Sequence, residues 1–159
     1  MIVLGCDPGG SGGIAALLGD GKIVSLAKMP ETERDTFELI GDIKGGYSYD
    51  PHFVAYIEAV HSRPGQGVAS MFQFGMNYGG LRMALIANDI RLESVTPQKW
   101  QKGIGMIPRA KTESKVEWKQ RLKARAQELF PGVKFTLSTS DAILIAEYGR
   151  RIENEREGR

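Results

Sequence analysis

The sequence has one cysteine, two histidines and no long apolar run. A lone Cys6 forms no internal disulfide and supplies no cysteine-based zinc site. No stretch approaches the roughly 18 consecutive apolar residues that a membrane span needs. The opening MIVLGCDPGG has no basic n-region and reads as no signal peptide. The expectation is one cytoplasmic domain over residues 1–159 with no membrane partner. Charge of one sign is also scarce, at 21 Lys+Arg against 19 Asp+Glu. With 42% hydrophobic and 25% charged residues the composition is globular and excludes a wholly disordered chain.

The near-neutral total hides an asymmetry. Between Lys99 and Arg125 lie nine Lys/Arg and two Glu, a local charge of +7 that leaves −5 for the rest of the chain. One face is therefore able to attract a polyanion, and a solvated lysine-rich helix is the plainer reading of the same residues.

Apolar runs at Ile2–Cys6, Ile14–Leu18 and Lys22–Lys28, separated by Gly-rich turns, predict an antiparallel meander. Phe37, Ile40 and Ile43 give helical spacing over Glu33–Lys44, stopped by Gly45-Gly46. His52–Val60 reads as a fourth strand and Arg91–Thr96 as a fifth, with a helix over Ser70–Asn88 between them. Pro97 suits the first turn of a short helix through Trp100. Helices over Glu113–Phe130 and Ser140 to about Glu153 complete the chain, and residues from about 151 to 159 form a charged tail expected to fray. Strand hairpins followed by alternating helix and strand imply an α/β fold, a mixed sheet with helices on its faces.

Three acids stand out against apolar surroundings. Asp7 ends the first strand, Glu58 lies near the end of the fourth, and Asp141 opens the apolar last helix. Each has a structural reading: a salt bridge for Asp7 and Glu58, and the helix dipole for Asp141 placed in a first turn. Together they carry more. If strands one and four are neighbours, Asp7 and Glu58 lie side by side and Asp141 reaches them from the helix end. Clustered carboxylates repel one another, and such an oxygen-rich set binds hard divalent cations. Two Mg²⁺ ions, with Mn²⁺ as a substitute, fit the cleavage of a phosphodiester, and the basic segment supplies a grip on its backbone.

Gly5-Cys6-Asp7-Pro8-Gly9, Ile57-Glu58 at a strand end and Asp141-Ala142 at the last helix together resemble the RuvC family of Holliday junction resolvases. The likeness covers nearly the whole chain. Gln98-Lys99, Phe130-Pro131 and Ala146-Glu147-Tyr148-Gly149 are more similar to phage-type members. The resemblance implies a ribonuclease H-like mixed five-stranded sheet, βββαβαβα, with helices on both faces. It implies a crossover junction endodeoxyribonuclease acting as a homodimer, which cuts two strands of a four-way junction symmetrically in a bacterial or phage-infected cell. Asp7, Glu58 and Asp141 carry over as metal ligands and catalytic residues. The family often has a fourth acid one turn from the third. Here Ser138 stands three residues before Asp141 and Leu144 three after, so Ser138 marks the possible fourth-ligand position, filled by its hydroxyl or by a water.

Lys111, Lys115, Lys119 and Lys123 recur every four residues, predicting one helical row whose mutual repulsion an anionic ligand would relieve. Members of the resembling family have lysines near the scissile phosphate at this point of the chain. That makes Lys99, Lys115 and Lys119 the candidates near the scissile phosphate, with Lys115 the catalytic one, and Lys99, Lys102, Lys111, Lys115, Lys119 and Lys123 DNA-binding candidates. The loop after Glu58 enters the junction core in similar enzymes, which adds His61 and Arg63, with Phe72 or Phe74 as stacking alternatives. The helix at about 70–88 is apolar on too many faces for a simple surface helix, and Gly75, Gly79 and Gly80 permit close approach, so it is the expected dimer interface. Three alternatives stay open. One is a broader branched-DNA or RNA/DNA nuclease of the same fold. Another is a non-catalytic junction-binding protein, and the third an actin-like phosphotransferase, which needs two such domains.

Overall fold

In the computed structural model, residues 1–47, 52–61, 65 and 67–158 are described. Strands β1 (Ile2–Asp7), β2 (Gly13–Leu18) and β3 (Ile23–Lys28) are followed by helix α1 (Glu33–Gly46) and strand β4 (Phe53–Glu58). Helix α2 (Val68–Ala87), strand β5 (Arg91–Val95) and helices α3 (Pro97–Gly103), α4 (Lys115–Leu129) and α5 (Leu137–Arg156) complete the order. The five strands form one mixed sheet in the order β3-β2-β1-β4-β5. The meander is antiparallel, whereas β1 with β4 and β4 with β5 are parallel. Strands β1 and β4 are apolar almost throughout because both of their faces are covered.

Strand alternation divides the interior into two cores. Ile2, Leu4, Cys6, Phe53, Ala55 and Ile57 face α1 and the C-terminal third of α2. Val3, Val54 and Tyr56 point the other way, into a core with Trp100, Trp118, Leu122 and the buried side of α5. By the same alternation Asp7 and Glu58 emerge on the α5 face, two residues beyond Gly5 and Tyr56.

Helix α5 lies unusually close to the sheet, and the sequence makes room for it. A Cβ on Gly5 would sit 2.1 Å from the backbone N of Ala146 and 2.2 Å from the carbonyl of Ala142. At Gly13 it would sit 2.9 Å from the carbonyl of Ser138, and at Gly149 2.4 Å from the Tyr56 ring. Glycine and alanine on the two surfaces thus let helix backbone rest against strand backbone.

Three boundaries differ from those the sequence predicts, each for a local reason. Helix α5 starts at Leu137, capped by Thr136 in a capping box with Thr139. Asp141 is therefore the fifth helical residue, past the first turn whose free N–H groups would stabilise it. Helix α4 starts at Lys115 because Ser114 and Glu117 form a capping box, which leaves Lys111 outside the helix and off the lysine row. The last helix does not stop near Glu153. The helix runs to Arg156, held by Glu153, which accepts hydrogen bonds from Tyr56, Arg91 and Arg156. No helix among the described residues is long and apolar enough to cross a membrane.

Candidate active site

Parallel pairing puts Cys6 opposite Ile57. The next residue on each strand, Asp7 and Glu58, thus leaves the sheet side by side on the face that α5 covers. Asp141 joins them from α5, brought down by the contact at Gly5. Gly12 closes the cradle. A Cβ there would meet the Asp7 carbonyl at 2.2 Å and its carboxyl carbon at 2.8 Å, so only glycine lets the β1–β2 turn fold back over Asp7. The Gly9 N–H donates to Asp7 Oδ1 at 3.4 Å.

The electrostatics follow from three acids sharing a half-dry site. Burial pushes the Asp7 carboxyl from 3.8 up to about 6, the Asp141 charge adds to the push, and Lys119 and the Gly9 N–H pull against it. Burial, then the Asp7 charge, pushes Glu58 from 4.5 up to about 7. Asp141 is also raised by its burial, with Lys119 opposing. The Lys119 Nζ donates to Asp141 Oδ2 at 2.5 Å. Burial works against the charge on Lys119, but Asp141, Asp7 and Glu58 outweigh it and hold its pKa above the ordinary lysine value. Its ammonium is the counter-charge of the cluster.

The donor set fits a hard divalent cation. All three acids offer carboxylate oxygens, the ligand type such ions prefer. Asp141 Oδ1 is buried and takes no hydrogen bond among the described residues, which is costly for an anionic oxygen without a cation. In the present conformation no three carboxylate, imidazole or thiol groups among the described residues converge to hold an ion, and Lys119 provides the positive charge instead.

The other expected residues are spread around this centre. Ser138 lies one turn before Asp141 on α5, half-buried. Lys99 and Lys102 are exposed on α3, Lys111 is exposed ahead of α4, and Lys115 is exposed as its first residue. Lys123 is half-buried one turn beyond Lys119. The lysine that meets the carboxylates is thus Lys119, one turn along from Lys115. Arg121 and Arg125 serve the fold instead, pairing with Glu113 and Glu128. His61 is exposed, and Arg63 lies outside the described residues. A groove of about 890 Å³ opens beside Glu58, walled by His61, Met71, Phe74, Tyr78 and Pro97.

Sequence reasoning gave Trp100 no role. Its indole Nε1 donates to Glu58 Oε1 at 2.9 Å, and its side chain is fully buried. The available signal was chemical, since a tryptophan buried in a core needs an acceptor for its N–H.

No family model matches the chain, and no curated protein matches it. Its fold is similar to that of T. thermophilus RuvC in complex with Holliday junction substrate, at 12% identity and a TM-score of 0.68 over 99% of this chain and 96% of that one. A second Thermus thermophilus RuvC structure gives 14% identity and a TM-score of 0.63, over 99% and 97%. The mixed five-stranded sheet with helices on both faces is the RuvC, ribonuclease H-like arrangement.

Proposed function

We propose that this chain is a divalent-metal-dependent, structure-selective endodeoxyribonuclease that resolves four-way DNA junctions by paired symmetric cuts. The observation that carries the reading is the electrostatic coupling of Asp7, Glu58 and Asp141 at one end of the sheet, with the Lys119 ammonium paired to Asp141. The fold supports it, because the similar T. thermophilus structure holds a Holliday junction substrate. The match of Gln98-Lys99 and Ala146-Glu147-Tyr148-Gly149 to phage-type members favours that branch.

In this reading Asp7, Glu58 and Asp141 hold two Mg²⁺ ions, or Mn²⁺ in their place, and Ser138 or a water completes the set. The ions would supply the positive charge that stabilises the attacked phosphodiester and its leaving oxygen. With Asp141 engaged by such an ion, Lys119 would be released toward the phosphate, where its positive charge again has an anionic partner. Lys99, Lys102, Lys111, Lys115 and Lys123 make none of the ion pairs found among the described residues, so their charge is free for the DNA backbone. Lys115, one turn before Lys119 on α4, is the lysine this reading assigns to catalysis. The groove beside Glu58 would admit an unstacked base, with His61 and Phe74 on its walls.

Symmetric cuts need two sites, and α2 offers the surface to pair them. Val68, Phe72, Met76, Met83 and Ile86 are exposed along it, and Cβ positions on Gly75 and Gly79 point into open space. A second copy packed there makes the homodimer.

The test uses a synthetic four-way junction beside linear duplex and a Y-fork, each with Mg²⁺ and with EDTA. Paired symmetric nicks in the junction, lost with EDTA and in Asp7→Asn, are the expected result. Forks cut as readily as junctions would make it a broader debranching nuclease. Tight junction binding without cutting in Mg²⁺ or Mn²⁺ would make it a binding protein.

A further inference from the structure

We propose that Trp100 is a positioning residue which holds one oxygen of Glu58 and so presents the other for metal ligation; the inference rests on the nuclease reading above. The contact is built in from two directions. Val95, the last residue of β5, pairs with Glu58 across the parallel ladder. Thr96 then caps α3 by accepting from the Lys99 N–H, and Pro97 fixes its first turn. This short connection delivers Trp100 to the end of β4, where its indole is buried and its N–H meets Glu58 Oε1 at 2.9 Å.

A glutamate needs such a restraint more than an aspartate does. Its carboxylate has one more rotatable bond, and here the Asp7 and Asp141 charges repel it. Without a tether it would swing into the groove beside β4. The tether is chemically apt, since an indole is a donor with no acceptor and no charge. It orients the carboxylate without neutralising it and does not compete for a cation. Glu58 Oε2 takes no hydrogen bond among the described residues, so each of two acids presents one free oxygen: Glu58 beside Trp100 and Asp141 beside Lys119. Partners of this kind that orient a metal ligand typically contribute about 10–100-fold in affinity.

Trp100→Phe keeps an aromatic ring in the core and removes the donor together with the indole's second ring, a loss of volume that Trp118→Phe shares. Calorimetric titration with Mg²⁺ and with Mn²⁺ is expected to give an apparent Kd about tenfold or more weaker than wild type. Trp118→Phe is the control, because Trp118 is equally a core tryptophan but stacks on Arg121 at 5.0 Å and donates to no carboxylate of the site. It should bind metal as wild type does. In cleavage assays the metal concentration giving half the maximal rate rises for Trp100→Phe, while the rate at saturating metal largely recovers. Unchanged metal affinity in a folded Trp100→Phe chain overturns the proposal.

If Trp100→Phe does not fold, Trp118→Phe provides the second measurement, since Trp100 is then the sole indole. Its fluorescence should change as Mg²⁺ binds, and Glu58→Gln should abolish the change. A flat response while calorimetry registers binding also overturns the proposal. A wild-type chain that binds Mg²⁺ yet cuts no junction defeats the nuclease reading alone, and the affinity comparison still decides the role of Trp100.

Discussion

Helix α5 buries acids toward both of its ends and treats them in opposite ways. Asp141, Glu147 and Glu153 have side-chain exposures of 7%, 5% and 9%, so burial does not separate them. Their partners do. Glu147 accepts three hydrogen bonds, two from Arg150 and one from Arg151. Glu153 accepts from Tyr56, Arg91 and Arg156. Burial opposes the charge on both glutamates, yet these donors outweigh it and hold their pKa values below the ordinary glutamate range. Asp141 has one lysine, an unpartnered oxygen and a raised pKa. The satisfied acids fasten the helix, and the unsatisfied one is kept at a cost that only a ligand removes.

The comparison breaks first, and hardest, at Glu147. Glu147→Gln strands two guanidiniums beside a neutral amide. Losing one partner of a fully buried pair costs about 3–5 kcal/mol. Arg150 and Arg151 retain 20% and 35% exposure and can recover some water, so about 2–4 kcal/mol is expected here. Thermal unfolding should show a fall in Tm of roughly 5–15 °C. Metal affinity should stay as in the wild type, since Glu147 lies outside the carboxylate cluster. A weakened Mg²⁺ Kd would show that the two ends of α5 are one system.

The second effect has the opposite sign. Asp7 and Glu58 bind their protons more tightly when folded, at about 6 and about 7 against 3.8 and 4.5. The folded chain thus holds more protons than the unfolded chain in that window, and its metal-free stability falls as pH rises from about 4 to about 7. Glu147 and Glu153 run the other way. Their contribution is complete above the ordinary glutamate range and is lost as pH falls below it. Metal-free Tm should therefore peak near the ordinary carboxyl range, at about pH 4–5. Asp7→Asn should raise Tm near neutral pH, by about 1–2 kcal/mol or a few degrees, and change little near pH ~4. Under the proposed function the same substitution is expected to abolish cleavage, so that stability and activity should move in opposite directions at this residue. A Tm that falls in Asp7→Asn at neutral pH would overturn the reading that burying the Asp7 charge costs stability.

Much of this was legible in the sequence, and what was not has identifiable causes. The order of elements along the chain followed from the turn residues and the apolar runs, whereas the place of β4 beside β1 in the sheet did not. Asp7, Glu58 and Asp141 were conspicuous because each interrupts an apolar run, although their convergence needed the β1–β4 pairing. The start of α5 was misplaced because apolar periodicity begins at Ala142, whereas the chain caps earlier through Thr136 and Thr139. The far end of the helix lies beyond Glu153 for a related reason. Its charges look solvated in sequence, but Glu153 finds Tyr56 and Arg91 on strands distant in the chain. Trp100 escaped because its partner is 42 residues away, a distance no local pattern spans.

The smallest expected effect is the sharpest probe of whether the two regions are separate. Tyr56 and Glu58 are two residues apart on one strand and face the same side of the sheet. One donates at 2.7 Å to Glu153, and the other belongs to the carboxylate cluster. Tyr56→Phe keeps the ring against Gly149 and its edge contact with Tyr148, removing only the hydroxyl. Glu153 retains Arg91 and Arg156, so the loss should be about 1 kcal/mol and a few degrees of Tm. Cleavage rate and Mg²⁺ affinity should not move. If they do, strand β4 transmits the setting of α5's far end to Glu58, and the helix's fastening and its site are not independent.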